Sequence, residues 1–198
     1  MTHSIPPLAP NAEATAFLAA RRSRPAKTLA APAPDRAALS AILETALRVP
    51  DHGKLEPWRL VVLSGAALDR LAALTERLGR ARGLDPEHTA KARAMFDAAP
   101  GMVGVISDPL PSGKIPQVEQ ILSAGALCHN LVCAAQAAGW GANWLSGWMA
   151  TDTDFLRDGF DIEPPAFLAG LIVLGTETVV PPERPRPDPQ AKIAWVDA

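Results

Sequence analysis

Between positions 35 and 48 the apolar residues Leu39, Ile42, Leu43, Ala46 and Leu47 stand at i, i+3, i+4, i+7 and i+8, the spacing that lines one face of an α-helix. Asp35, directly behind Pro34, suits the first turn of that helix. A shorter helix is expected over 12–21, ending in Arg21-Arg22-Ser23, after a loose lead-in at 1–10. Two further helices, 66–82 and 86–98, meet around Gly83. The longest, 116–138, keeps Ile121, Leu122, Gly125, Cys128, Val132 and Ala135 in helical period. Its many small residues imply tight packing in the middle of the protein. Gly139-Trp140-Gly141 ends it.

Elsewhere the pattern shortens to strands. Residues 60–63 and 102–107 are brief aliphatic or β-branched runs, and 141–145 leads into Ser146-Gly147. Residues 166–174 are apolar throughout, which predicts a central strand covered on both faces. From Pro181 onward proline leaves only 192–196 open to regular structure. No repeat or second hydrophobic unit appears, so 1–198 reads as one domain with a Pro-rich extension at 181–198. The natural assembly is a small mixed sheet with helices on both sides.

Hydrophobic residues make up 48% of the 198 positions and charged residues 20%, the balance of a globular domain with a real core. A formal net charge of −2 and a pI near 6.1 argue against nucleic acid or an anionic membrane as partner. Cys128 and Cys133 stand five apart in an Ala-rich stretch. That is neither a disulfide framework nor a CxxC motif, and buried thiols in a reducing, cytoplasmic compartment are expected. Residues 1–11 carry prolines and no apolar core of a signal peptide, and the apolar run at 166–174 is far too short to span a bilayer. A soluble protein is expected.

Three stretches carry candidate chemistry. Arg21-Arg22-Ser23-Arg24 offers guanidinium and hydroxyl donors at a helix end, suited to a phosphate or to a solvated basic patch. The polar loop Pro50-Asp51-His52-Gly53-Lys54-Leu55-Glu56-Pro57-Trp58 joins a helix to a strand, a place where function concentrates. Asn143-Trp144-Leu145-Ser146-Gly147-Trp148 could present Trp144 and backbone N–H groups to a flat ligand, or simply pack tryptophans into the core. The four histidines lack metal-ligand spacing, so no metal is expected, and His129 is expected as a satisfied core histidine. Gly139 to Trp144 contains GxG without GxGxxG, and no GxxxxGK[ST] occurs. This disfavours Rossmann dehydrogenases and P-loop NTPases.

In their order and spacing, Arg21-Arg22-Ser23, an apolar helix, Pro50-Asp51-His52 and Pro57-Trp58 before a strand resemble the nitroreductase family. The similarity is to its small single-domain bacterial branch with a PDH-x-x-x-x-PW loop, over roughly 12–196. The resemblance implies an α+β, three-layer α/β/α sandwich, working as an intertwined homodimer with FMN at the subunit interface. It implies ping-pong transfer, NAD(P)H reducing the flavin and a small oxidised acceptor reoxidising it, with the hydride carried on flavin N5 and no catalytic side chain assigned. Arg21, Arg22 and Ser23 then match the motif that holds the FMN phosphate and ribityl chain, and Arg184 and Arg186 a late basic pair closing on the same phosphate. Asp51, His52 and Lys54 match a loop reaching the partner subunit's flavin, and Ser146 and Gly147 a turn facing N5. Two departures stand out. Pro25 occupies a position where relatives place a basic residue, which leaves Lys27 as the nearest candidate. Glu56 replaces the usual Gln and is expected to point away or to pair with a base. The chain has no Tyr, so stacking on the ring falls to Trp, Phe or aliphatic groups. A flavin carrier or sensor without turnover is the alternative. Flavin fragmentation or reductive dehalogenation would call for a longer lid than 66–98 offers. NADH and NADPH are not distinguished, because no 2′-phosphate pocket can be assigned.

Overall fold

A computed structural model describes residues 7–197. The lead-in expected at 1–10 lies mostly outside them, and 7–10 are exposed coil. The helices are α1 (Ala12–Ala20), α2 (Arg36–Ala46), α3 (Ala66–Ala81), α4 (Pro86–Asp97), α5 (Gln117–Ala137) and α6 (Thr153–Phe160). The strands are β1 (Leu29–Ala30), β2 (Trp58–Leu63), β3 (Gly101–Ser107), β4 (Gly141–Leu145) and β5 (Phe167–Glu177).

Local chemistry sets the helix limits. The Asp35 carboxylate accepts from Ala38 N at 2.8 Å and caps α2. Asp85 caps α4, whose first residue is Pro86. Gly83, at φ +64°, takes the left-handed turn that ends α3, and Leu84 N bonds back to Gly79 O at 3.0 Å. α3 and α4 then approach so closely that a β-carbon on Gly79 would lie 2.5 Å from Thr89 Cγ2.

The sheet runs β2–β3–β5–β4, and the short β1 pairs with the end of β5 at Thr176 and Glu177. Where a mixed sheet was expected, all four described pairings are antiparallel. The connections explain this. The α3–α4 hairpin brings the chain back reversed, making β2 and β3 antiparallel neighbours. β3 and β4 run the same way, but β5 lies between them, opposed to both.

As the continuous apolar run predicted, β5 is covered on both faces. Leu168, Leu171 and Val173 enter one core with Leu71 and Phe96 of the helical hairpin and Phe155 of α6. Ile172 and Leu174 enter a second core with Ile42 of α2 and Leu127 and Leu131 of α5. The result is the expected α+β sandwich of helix, sheet and helix layers. Phe155 anchors the first core, its ring centroid about 6 Å from those of Phe96 and Phe160.

Two expectations fail. His129 is exposed rather than buried, because α5 meets the sheet with its other face. Val118 and Leu122 share the outward side and are also exposed. In the tail, 192–196 forms no helix or strand, and Ile193, Trp195 and Val196 are exposed. By length and composition α5 alone among the described helices could cross a bilayer, but half of its most apolar stretch is buried against the sheet and α2.

Candidate functional site

The segment after α1 forms the first wall of the site. Arg21 leaves the helix with extended backbone (φ −61°, ψ 142°), its N–H still held by Phe17 O. The Arg22 carbonyl accepts from Gln136 Nε2 of α5 at 2.8 Å, and Arg24 N donates to Ala142 O of β4 at 3.0 Å. These bonds fix Arg21–Arg24 across the end of α5 and the start of β4. The Arg24 guanidinium turns away to Glu177, 3.1 Å from its carboxylate.

The second wall is the tail. Both the N–H and the hydroxyl of Thr178 donate to Thr28 O at 2.9 Å, tying the end of β5 to the turn that follows the arginine motif. Farther on, the Arg186 guanidinium donates to Ala19 O of α1. Arg21, Arg22 and Ser23 thus line one cavity of about 560 Å³ with Arg184 and Arg186. Its only carboxylate, Glu183, accepts from the Arg184 backbone N–H. None of these four guanidiniums forms a side-chain ion pair among the described residues. Arg21 Nε is buried without a hydrogen-bond partner. A buried donor of that kind calls for an acceptor, and a phosphate dianion supplies three oxygens to the guanidiniums and the serine hydroxyl. The residues fit a phosphorylated cofactor.

The remaining candidates lie outside this cavity. Lys27 is exposed and lines a neighbouring cavity of about 310 Å³ with Leu145 of β4. Ser146 and Gly147 follow β4 and are exposed. Trp144 is partly exposed, its Nε1–H donating to Ala169 O at 3.1 Å. Trp148, by contrast, is core packing: its ring meets Phe155 edge-on and lies under the Arg82 guanidinium.

The 50–58 loop is strongly held. The Asp51 carboxylate accepts from Leu55 N at 3.1 Å and Glu56 N at 2.9 Å, closing the loop on itself. His52 Nδ1 stands 2.8 Å from Glu119 on α5. Lys54 is exposed, with its backbone in the left-handed region at φ 53°. Ser123 of α5 donates to Pro50 O at 2.6 Å and accepts from the Trp58 indole N–H at 3.0 Å. Asp51, His52 and Lys54 do not line the arginine cavity of their own chain. Glu56 is exposed and forms no ion pair among the described residues.

Sequence reasoning missed Gln136, Glu177 and Glu183, which place or balance the arginines. Each acts across a long separation or from within the Pro-rich tail, where no periodic signal exists. It also missed an apolar cleft of about 520 Å³ between α2 and the β2–β3 edge, rimmed by Arg36 and Ser64. Both thiols are buried as expected, and free.

The fold and the arginine cavity define an α+β scaffold with a site suited to a phosphorylated ligand, and comparison with known proteins gives the family. The model of the nitroreductase family matches residues 18–176, and the chain belongs to that family. A Haemophilus influenzae protein named "Putative NAD(P)H nitroreductase" is 36% identical over 165 residues, covering 83% of this chain and 88% of the relative. Among solved structures, a nitroreductase-like family protein from Bacillus cereus aligns with a TM-score of 0.80 at 19% identity, covering 97% of this chain and all of the other. A nitroreductase with bound FMN from Bacteroides fragilis aligns at 0.71 and 18% identity, covering 94% and 100%.

Proposed function

We propose that the protein is an FMN-dependent NAD(P)H oxidoreductase that passes electrons to a small acceptor such as a nitroaromatic or a quinone. One observation carries this reading: Arg21, Arg22, Ser23, Arg184 and Arg186 line a single cavity in which the buried Arg21 Nε lacks a partner. FMN bound there would supply a two-electron carrier, accepting hydride at N5 from NAD(P)H and giving it to the acceptor in a second half-reaction.

The chain's own residues bind and orient. The guanidiniums and Ser23 hold the phosphate by charge-assisted bonds. The turn Ser146-Gly147, just beyond β4 and extended at Gly147, offers backbone N–H groups to the ring, with Trp144 two residues before it. Lys27 supplies positive charge where Pro25 cannot. Asp51, His52 and Lys54 serve the site of the partner subunit in a homodimer. The exposed apolar side of α5 at Val118 and Leu122 supports this. The free thiols go with a cytoplasmic setting.

The test is the visible spectrum of the purified protein under anaerobic addition of NADH and then NADPH. Flavin bands that bleach, and return on addition of a quinone, support the reading and identify the donor. Bands that persist favour a carrier. A protein that takes up no added FMN sinks the proposal. Full activity and FMN content in Lys54→Ala would remove the loop from the partner's site.

A further inference from the structure

The segment after β4 is anchored from α3. Arg82, which caps the C-terminus of that helix, meets Asp152 with a forked pair of bonds. Its Nε lies 2.6 Å from Asp152 Oδ2, and Nη2 donates to Asp152 Oδ1 at 2.8 Å. The same Nη2 donates to Asp154 at 2.8 Å. A forked guanidinium–carboxylate pair fixes direction as well as distance. The Asp152 side chain is only 12% exposed, so water screens this pair less than an ordinary surface one. Asp152 also caps α6 by accepting from Phe155 N at 2.8 Å. Its own N–H reaches back to Met149 O at 3.4 Å, and Ala150 N donates to Gly147 O at 3.0 Å. The Arg82 guanidinium stands over the Trp148 ring, 5.9 Å from its centre. Trp148 Nε1 is buried without a partner, so no hydrogen bond orients this indole. The cation on its face and the Phe155 ring against it do so. Helix α6 is held on α3 by other arginines as well. Arg70 donates to Asp158 O and Gly159 O at 3.1 and 2.9 Å, and Arg77 pairs with Asp158 at 2.8 Å. What Arg82 adds falls on 148–154.

Resting on the flavin reading above, we propose that Arg82 is a positioning residue for hydride transfer: through Trp148 and Asp152 it fixes the Ser146-Gly147 turn whose backbone N–H groups serve the ring. The turn itself is exposed, whereas Trp148 and Met149, which follow it, pack into the first core. Its place is therefore set by 148–152, and Arg82 grips that segment at both ends. Arg82 acts through these residues and touches neither cofactor nor substrate. Donors placed in advance of reaction act where charge develops, and a misplacement of about 1 Å can cost about 100-fold in rate. The FMN phosphate is held elsewhere, by Arg21, Arg22, Arg184 and Arg186. Loss of Arg82 therefore slows the transfer while leaving the affinities in place.

The test is anaerobic stopped-flow reduction of the FMN-loaded protein by NADH or NADPH, whichever bleaches the wild type. The limiting rate and the apparent Kd for the nicotinamide are read separately, and FMN affinity is titrated alongside. Arg82→Met is expected to lower the limiting rate about tenfold, inside the range a small misplacement produces, with both affinities unchanged. Arg82→Lys keeps the charge without the fork and falls between Arg82→Met and wild type. Asp152→Asn still caps α6 but drops the charge that Arg82 grips, and lowers the rate by a smaller factor. This variant decides the question if Arg82→Met does not fold. Arg77→Met removes an α3–α6 ion pair that does not involve 148–152, and keeps the wild-type rate. A wild-type limiting rate in Arg82→Met, or in Asp152→Asn where that variant decides, overturns the proposal. So does an equal loss in Arg77→Met, which would mean that any loosening of α6 slows reduction, or a loss confined to the affinities. A wild-type protein that binds no FMN, or whose FMN neither nicotinamide reduces, overturns the oxidoreductase reading itself and is recognised before any variant is made.

Discussion

The indole of Trp144 lies directly across the α-carbon of Gly170. A β-carbon at position 170 would stand 2.2 Å from Trp144 Nε1 and 3.0 Å from the Cys128 sulphur. Glycine is required here by its neighbours. Gly170→Ala is expected to cost about 1–3 kcal/mol through overpacking, at the lower end because the partly exposed ring can swing aside. Urea unfolding measures the loss, and a changed tryptophan emission reports the displaced ring. Adding Trp144→Ala should recover part of it. A double variant with no recovery would show that the ring is not the obstacle.

Ser123 joins the candidate loop to α5, with its hydroxyl between Pro50 O and the Trp58 indole N–H. Ser123→Ala leaves both groups unmatched in a site only 5% exposed. The expected loss is about 1–3 kcal/mol, seen in chemical denaturation, with faster amide exchange across 51–57. Unchanged exchange there would mean that Asp51 and its backbone bonds hold the loop unaided.

Arg21→Ala should weaken FMN binding by about 1.5–3 kcal/mol, the range for a hydrogen bond to a charged group. Fluorescence titration of the apoprotein would read this as roughly a 10- to 150-fold rise in Kd. Arg186→Ala should act in the same direction. Arg24→Ala should have a smaller effect, because that guanidinium is committed to Glu177. Full occupancy in Arg21→Ala would remove it from the phosphate site.

Burial pushes the Cys128 thiol up to about 12. It raises Cys133 as well, against the opposing field of Arg21. In the unfolded chain both thiols titrate near about 8.5. The folded state keeps protons that the unfolded state releases, so this stabilisation is complete below about pH 8.5 and is lost as pH rises toward 12. Stability should decline with pH across that window, and less steeply in Cys128→Ala. Thiol reagents at mildly alkaline pH should label native Cys128 more slowly than Cys133. Equal labelling rates would contradict the burial argument.

The sequence was most informative where one residue's neighbours along the chain decide its state. Asp35 sits where a capping carboxylate belongs, and the unbroken apolar run at 166–174 demands cover on two sides. It was less informative where periodicity has two solutions. Leu122 and His129 keep the same helical period as Cys128, and nothing local says which face of α5 meets the sheet. In the site, three adjacent residues, Arg21, Arg22 and Ser23, were legible, and Arg184 and Arg186 followed from family resemblance. The Arg24–Glu177 pair and the closure of Asp51 onto Leu55 and Glu56 were not. Both depend on where the backbone places side chains that spacing alone leaves free.

The Arg186 guanidinium and the Ala19 carbonyl it grips are 167 positions apart. The two sides of the arginine cavity therefore come from segments far apart in the sequence. A chain still being synthesised, with both cores already complete, has only one side of this cavity until Arg184 and Arg186 emerge. Under the function proposed above, a chain cut short upstream of that point would keep both cores and lack two of the four cavity guanidiniums, and its FMN affinity should fall accordingly.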